Sequence, residues 1–135
     1  MPGGSDWQIK QRKMKLRIKG NSLRLRLSKT DVQQLAETGK VFDKISFGVE
    51  QLAYTLKAAE EIKIPEVSFS INNIIVLIPT RFTTNWHGNN VVGIDATQNI
   101  GNNETLYLLI EKDFQCLDES TEDQSDNFIN PHLTC

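Results

Sequence analysis

Apolar and polar residues alternate strictly in two short segments near the start of the chain, residues 15–19 and 22–27. Because side chains in a strand have a period of two, this pattern predicts a β-hairpin with Gly20-Asn21 as its turn. One face of the hairpin is apolar, and the other, which we call the basic face, carries Lys15, Arg17, Lys19, Arg24 and Arg26. The register places Arg17 opposite Arg24 and Lys15 opposite Arg26. Like charges in such positions are unfavourable, so we expect an anion over this face.

A helix and two strands follow the hairpin. Ser28 and Thr30 are candidate N-caps, and an apolar stripe ends at Gly39, which predicts one short helix over roughly residues 30–38. Alternation over residues 41–47 and again over 52–56 predicts two strands. Residues 57–64 begin with a helical pattern, and we expect Pro65 to end it.

The clearest hairpin pattern lies further along the chain, at residues 67–71 and 74–78. Asparagine tolerates the positive φ of a tight hairpin turn, so Asn72-Asn73 is predicted to connect the two strands. The second strand also carries Ile75 and Leu77 on its other face. It is therefore predicted to be a central strand, covered on both faces.

The remaining pattern is less regular. Residues 80–90 predict a single helical turn, 91–94 a short strand, 97–104 a mobile loop rich in Asn and Gly, and 105–110 a buried strand. Together these elements predict an α+β fold: a mainly antiparallel sheet or partly closed barrel of about seven or eight strands, with one main helix packed on it.

The composition fits one domain. The chain has 135 residues, of which 39% are apolar, which is enough for a sizeable core without disulfide or metal staples. We interpret residues 1–13 as a disordered extension and 14–135 as a single α+β domain with an acidic tail over 117–135. No segment approaches the roughly 18 consecutive apolar residues of a membrane span, and residues 1–6 lack the apolar run of a secretory signal. We expect a soluble, cytoplasmic protein without a membrane partner.

Charge is distributed unevenly along the chain. Nine of the 15 basic residues lie between Lys10 and Lys29, and seven of the 17 acids lie between Glu111 and Asp126. Such polarity is typical of a chain that pairs its own ends or binds a charged partner. The candidates to cover the basic face from within, with the arginines forking onto carboxylates, are Asp118, Glu119, Glu122, Asp123 and Asp126.

An external anion is the alternative occupant of the basic face. Lysine and arginine neutralise phosphates, so five of them on one face match the footprint of nucleic acid or a phosphorylated ligand. Nucleic-acid-binding proteins usually add exposed aromatic residues for stacking, and the two basic strands contain none. We favour pairing with the acidic tail and keep an anionic ligand as the alternative.

The acidic tail also contains Cys116, His132 and Cys135. The spacing of His132 and Cys135, with a carboxylate nearby, makes zinc one alternative. Structural zinc sites more often show two close ligand pairs, whereas Cys116 stands alone and Cys135 is the last residue. A disulfide or two free thiols are the favoured outcomes, and no cofactor is expected.

The sequence offers little support for catalysis. It contains no Gly-rich phosphate loop, nucleophile elbow or metalloprotease helix. His87 is a lone loop histidine, which is more often a surface group than a general base, whereas Trp86 and Phe82 have the spacing of core anchors. A small phosphate-handling enzyme would need one of Asp95, Glu104, Glu111 or Asp113 on the same face as Arg17 and Arg24.

Both ends of the chain carry a resemblance. Residues 14–27 are MKLRIKGNSLRLRL, and the end contains EKDFQCL from Glu111, EDQSDNF from Glu122, and Asn130-Pro131 before Cys135. Over residues 14–135 the chain resembles a family of small uncharacterised bacterial proteins, a domain of unknown function. The resemblance implies that members begin at the position of Met14 and that both ends matter together. It implies no activity.

These observations favour a non-enzymatic binding or accessory protein whose basic face is paired to its own acidic tail. The alternative is a small phosphate-handling enzyme, or a protein that binds polyanions or nucleic acid through the basic hairpin. A homodimer is expected if the fold leaves one face of the strand at 74–78 uncovered.

Overall fold

The computed structural model describes residues 14–114, 126, 128 and 129, and this part of the chain contains eight strands and three helical segments. They are β1 (Lys15–Lys19), β2 (Ser22–Leu27), α1 (Lys29–Thr38), β3 (Lys40–Ser46), β4 (Gln51–Ala59), β5 (Glu66–Ser70), β6 (Asn73–Pro79), α2 (Thr80–Thr83), a 3-10 turn (Trp86–Gly88), β7 (Gly93–Gly101) and β8 (Glu104–Lys112).

The strands form two four-stranded sheets. The first sheet has the order β1-β2-β8-β7, and the second has the order β3-β4-β6-β5. The outer pairs of each sheet are antiparallel, whereas the central pairs, β2 with β8 and β4 with β6, are parallel. The predicted mainly sheet-based architecture and strand number are therefore confirmed. The partly closed barrel is not, since the described strands lie in two separate sheets.

The two halves of the described chain repeat one arrangement. A displacement of 51 residues carries the register of the first hairpin onto that of β5 and β6: Lys15 opposite Arg26 becomes Glu66 opposite Leu77. In each half a hairpin is followed by a helical segment and a second hairpin. Each sheet combines the first hairpin of one half with the second hairpin of the other.

Buried apolar side chains from both sheets and the helices form one cluster. The buried leucines of β2 alternate with outward serine and arginine residues, as expected for a sheet with one buried face. The most deeply buried members include Leu25, Leu27, Val32, Leu35, Leu56, Val76, Ile78, Trp86, Leu108 and Ile110. Phe82 packs against this cluster, and its ring centroid lies 4.9 Å from that of Trp86. The predicted core anchors are therefore confirmed.

Helix α1 begins and ends where the sequence predicts. Ser28 accepts a hydrogen bond from the backbone N–H of Asp31, and the Asp31 carboxylate accepts one from the Ser28 N–H, a complete capping box. Gly39 ends the helix at φ 82° and donates its N–H to Leu35, which satisfies one of the last carbonyls. No helix in the described part of the chain is long and apolar enough to cross a membrane.

Three expectations about local structure are wrong. The hairpin β5–β6 turns at Ile71 and Asn72, both at positive φ, rather than at Asn72-Asn73. Strand β4 runs on to Ala59 where a helical start was expected, because it pairs along its length with β6. Strand β7 extends to Gly101, so most of the predicted loop at 97–104 is strand. Gln98 anchors it by bonding both the N–H and the C=O of Val67.

Candidate functional site

The basic face lies on the outside of the first sheet, on strands β1 and β2. The structure confirms the predicted register, with Arg17 opposite Arg24 and Lys15 opposite Arg26. The inward residues of β2 are buried in the core, so the alternating arginines are directed away from it. Strand β1 is at the edge of its sheet, which leaves one side of the basic face unpaired by the described strands.

Strand β8 supplies a carboxylate to the basic face. Glu111 lies beside Arg26 in the parallel register of β2 and β8, and its Oε2 is 2.9 Å from Arg26 Nε and 3.4 Å from Arg24 Nε. Gly93 pairs with Glu111 on the other side, where an added Cβ would lie 2.9 Å from Glu111 Cα. Glycine therefore lets β7 approach closely at the residue that neutralises two arginines.

The cations of the basic face are neutralised unequally. Lys15 Nζ lies 3.0 Å from Asp113 Oδ2, just past the end of β8. Arg24 and Arg26 share Glu111, as described above. Arg17 and Lys19 have no ion pair with any described residue. Arg17 and Lys19, which lie nearest the hairpin turn, are therefore the two cations of this face without a described counter-charge.

An exposed aromatic residue also lies on this outer face. Tyr107 of β8 is paired with Ser22 of β2 in the parallel register, two residues from the position opposite Arg24. It is 39% exposed, and its hydroxyl donates a 2.8 Å hydrogen bond to Asp95 Oδ2. That hydrogen bond raises the pKa of Tyr107 above its usual value of 10.0. The sequence alone did not indicate that an aromatic residue joins the basic face.

The structure describes one of the five acids predicted to cover the basic face. Asp126 lies at the start of α1: its Oδ1 accepts a 3.2 Å hydrogen bond from the Thr30 N–H, and its carbonyl accepts one from the Lys29 N–H. A carboxylate is favourable there because a helix N-terminus has unpaired N–H groups and a positive dipole. The other four, Asp118, Glu119, Glu122 and Asp123, lie outside the described residues.

The chain returns to the core next to Asp113. The Phe128 N–H donates to the Asp113 carbonyl, and Phe128 forms a parallel bridge with Phe114. Their rings meet edge to face at 5.8 Å. Described residues on both sides of the acidic segment 115–125, Phe114 and Phe128, therefore lie next to the residue that pairs with Lys15.

The structure describes some of the remaining candidate residues and not others. Cys116, His132 and Cys135 lie outside the described part of the chain, and in the rest no group of three or more His, Cys, Asp or Glu residues can hold a metal ion. His87 is exposed in the 3-10 turn. Of the candidate catalytic carboxylates, Glu111 shares a face with Arg24 and is held in ion pairs.

Strand β6 is central in the second sheet, as predicted. Its second face is half-buried: Ile75 and Leu77 line a cavity of about 350 Å³ together with Ile64 and Pro65. The homodimer stays a prediction.

Comparisons with known proteins give a family without an activity. A model for a family of unknown function matches residues 14–132. No curated protein matches the chain, and no solved structure matches it either.

Proposed function

The chain belongs to this family of unknown function (DUF7009), and we propose that it is a non-enzymatic binding protein whose basic face accepts an acidic segment of polypeptide. One observation carries the proposal. Arg17 is directly opposite Arg24, and of these two arginines Arg24 alone has an ion pair with a described carboxylate. Like charges opposed in this way are unfavourable unless an anion lies between them.

The first occupant that we propose is the acidic segment of the chain itself. Asp113, which pairs with Lys15, lies two residues before the first residue of this segment, and Asp126 lies immediately after its last. An extended chain spans about 3.3 Å per residue, whereas Arg17 is two strand residues, or about 7 Å, from Lys15. The segment is therefore long enough to bring the acids at 118–123 over Arg17. An acidic segment of a partner protein would bind by displacing it.

Single-stranded nucleic acid is a second candidate occupant, which the position of Tyr107 favours. Base stacking on an exposed aromatic residue, beside a track of arginines, is how many proteins bind single strands. Tyr107 and Arg24 are near neighbours on the same outer face. Against this candidate, Asp95 and Glu111 place negative charge on the same surface.

The contacts support binding over phosphate chemistry. A phosphate-handling enzyme needs a free base or metal-binding carboxylate next to its anion cradle. Glu111 lies between two arginines, Asp113 pairs with Lys15, and Asp95 accepts the Tyr107 hydrogen bond. The carboxylates near the basic face thus serve to neutralise or orient its side chains.

The test neutralises the acidic segment within the full chain. The variant Asp118→Asn, Glu119→Gln, Glu122→Gln and Asp123→Asn keeps Asp126 at α1 and Phe128 in its bridge. We expect it to bind a fluorescent polyglutamate peptide at least tenfold more tightly than the wild type, with affinity that falls as salt rises. Fluorescence anisotropy measures both quantities.

A matched control changes the same number of charges elsewhere. It replaces four exposed acids away from the basic face with Gln: Glu50, Glu60, Glu61 and Glu66. Equal gains in the two variants would show that net charge, and not the acidic segment, sets the affinity. Preferential binding of oligothymidylate, lost on Tyr107→Leu, would favour nucleic acid instead.

A further inference from the structure

Lys112, the last residue of β8, points into the core. Its exposed fraction is 4%, and it lies beside Leu27 of β2 on the face that carries Leu108 and Ile110. Lysine is almost never buried to this extent unless it is paired.

Only part of the ammonium group of Lys112 is satisfied. Its Nζ donates a 2.7 Å hydrogen bond to the Asn89 carbonyl and lies 4.6 Å from the Phe128 ring centroid and 5.9 Å from that of Trp86. Within the described residues no carboxylate pairs with it. An ammonium group has three donors, so two remain for another acceptor. Burial lowers the pKa of Lys112, as expected for a charge taken from water without a counter-ion.

The fold itself does not require a lysine at this place. In the second sheet the corresponding strand β4 places Ala58 beside Ile78, as β8 places Lys112 beside Leu27. Ile78 and Leu27 are themselves equivalent, since a displacement of 51 residues superposes the registers of the two first hairpins. The same backbone arrangement therefore forms with a small neutral side chain in one sheet and a buried cation in the other.

A cavity of about 310 Å³ opens beside Lys112, within the range of small-ligand sites. Its walls combine two kinds of group. The polar part comprises Lys112, Lys29, Asn89 and Asn90, and the apolar part comprises Val92, Phe114, Phe128 and Ile129. Phe114 and Phe128 meet edge to face, which presents an aromatic wall next to the cation.

We propose that this cavity binds a small monocarboxylate with an aromatic or branched apolar body. Lys112 Nζ donates its remaining hydrogens to the carboxylate, with Lys29 as a second cation at the wall. The apolar body packs against Phe114 and Phe128. The site is independent of the basic face, because none of its lining residues belongs to that face.

The experiment compares a charged probe with its neutral isostere. Phenylacetate and phenylacetamide are titrated into the isotopically labelled full chain, and the shifts of the Lys112 side-chain and Asn90 amide resonances are followed by NMR. We expect phenylacetate to bind at least tenfold more tightly, because a hydrogen bond to a charged group is worth more than one to a neutral group. Absence of saturable shifts, or equal affinity for both probes, overturns the proposal.

Three variants locate the site. Lys112→Met, which keeps an unbranched side chain only one atom shorter and without the charge, should lower the phenylacetate affinity at least tenfold. Lys57→Met, an exposed lysine on β4, should leave it unchanged. Val92→Trp narrows the cavity while it keeps Lys112, and should also abolish binding, so the proposal stays testable if Lys112→Met does not fold. Unchanged affinity in a folded Lys112→Met or Val92→Trp variant would place the probe elsewhere.

Discussion

The hairpins β1–β2 and β5–β6 hold equivalent places in the two sheets, yet their outer faces differ. Both have the same register, the same two-residue turn length, and a second strand that runs parallel to a strand of the other half. The buried residues of their second strands are aliphatic in both, apart from Pro79 at the end of β6. Outward, the first hairpin opposes Arg17 with Arg24, whereas the second opposes Ser68 with Ile75.

This difference separates what the fold needs from what it merely permits. Burial of the inward residues is common to both hairpins and supplies the hydrophobic stabilisation. The outer face accepts opposed arginines in one sheet and a neutral pair in the other, so the fold does not demand the positive charge. Opposed like charges that the fold does not require indicate a binding function for this surface.

The largest effect should come from the inward residues and should be the same in both hairpins. Leu27 and Ile78 are equivalent and fully buried. Leu27→Ala and Ile78→Ala should each lower the free energy of unfolding by about 2–5 kcal/mol, through lost burial and the cavity left behind. Urea unfolding measures both. A large loss of unfolding free energy in one variant alone would show that the two positions are not equivalent in stability.

A smaller effect should appear only in the first sheet when Glu111 is neutralised. Glu111→Gln leaves Arg24 and Arg26 without their shared carboxylate, and the free energy of unfolding should fall by about 1 kcal/mol, less at high salt. The equivalent position in the second sheet is Lys57, beside Leu77. Lys57→Gln is the control and should stay within about 0.5 kcal/mol of the wild type. Equal losses in both would mean that the outer charges serve stability alone.

Local pattern explains which parts of the fold the sequence could predict. The register of the first hairpin follows from its alternation and from Gly20, which takes positive φ at the turn. For the hairpin β5–β6, turns at Asn72-Asn73 and at Ile71-Asn72 give registers that differ by two residues and keep the same side chains inward, so alternation alone does not select the observed one. The polar residues of β7 favour a loop when only the local sequence is considered, whereas in the fold they have partners distant in the chain, as Gln98 has in Val67.

The residues of the candidate site could be predicted only where their sequence pattern is local. Five cations on one face were visible in the sequence, because strand alternation is local. Glu111 and Tyr107 join that face only through the parallel pairing of β2 with β8, which brings together residues 85 positions apart. No local pattern encodes that pairing. Lys112 lay just beyond the strand predicted at 105–110, and its burial depends on Trp86 and Phe128, which pack from other segments.

Arg17→Ser gives the first hairpin the residue that hairpin β5–β6 has at the equivalent position, Ser68. Arg17→Ser removes a charge directly opposite Arg24, so the free energy of unfolding should be unchanged or rise by up to about 0.5 kcal/mol. Binding of polyglutamate to the chain with a neutralised acidic segment should nevertheless fall several-fold. Lys44→Ser, on the exposed part of β3, is the control and should change neither quantity. Loss of stability with unchanged binding would assign Arg17 to the fold.

The smallest effect concerns pH and contrasts Lys112 with its equivalent, Ala58. Burial lowers the pKa of Lys112 from 10.5, so between its pKa in the folded protein and 10.5 the unfolded chain holds more protons. The stability of the wild type should therefore rise with pH in this window, and the increment should stop above pH 10.5. Lys112→Met lacks this contribution, so the difference in unfolding free energy between wild type and variant should grow in favour of the wild type as pH rises.

Two tyrosines also titrate near this window. The pKa of Tyr54 is raised from 10.0 by burial, and that of Tyr107 by the Asp95 hydrogen bond, so both lower the stability as pH rises above 10. They are present in both proteins and cancel in the difference. A difference that stays constant across the window would mean that Lys112 is as well solvated as an exposed lysine, and would remove the buried cation on which its proposed ligand depends.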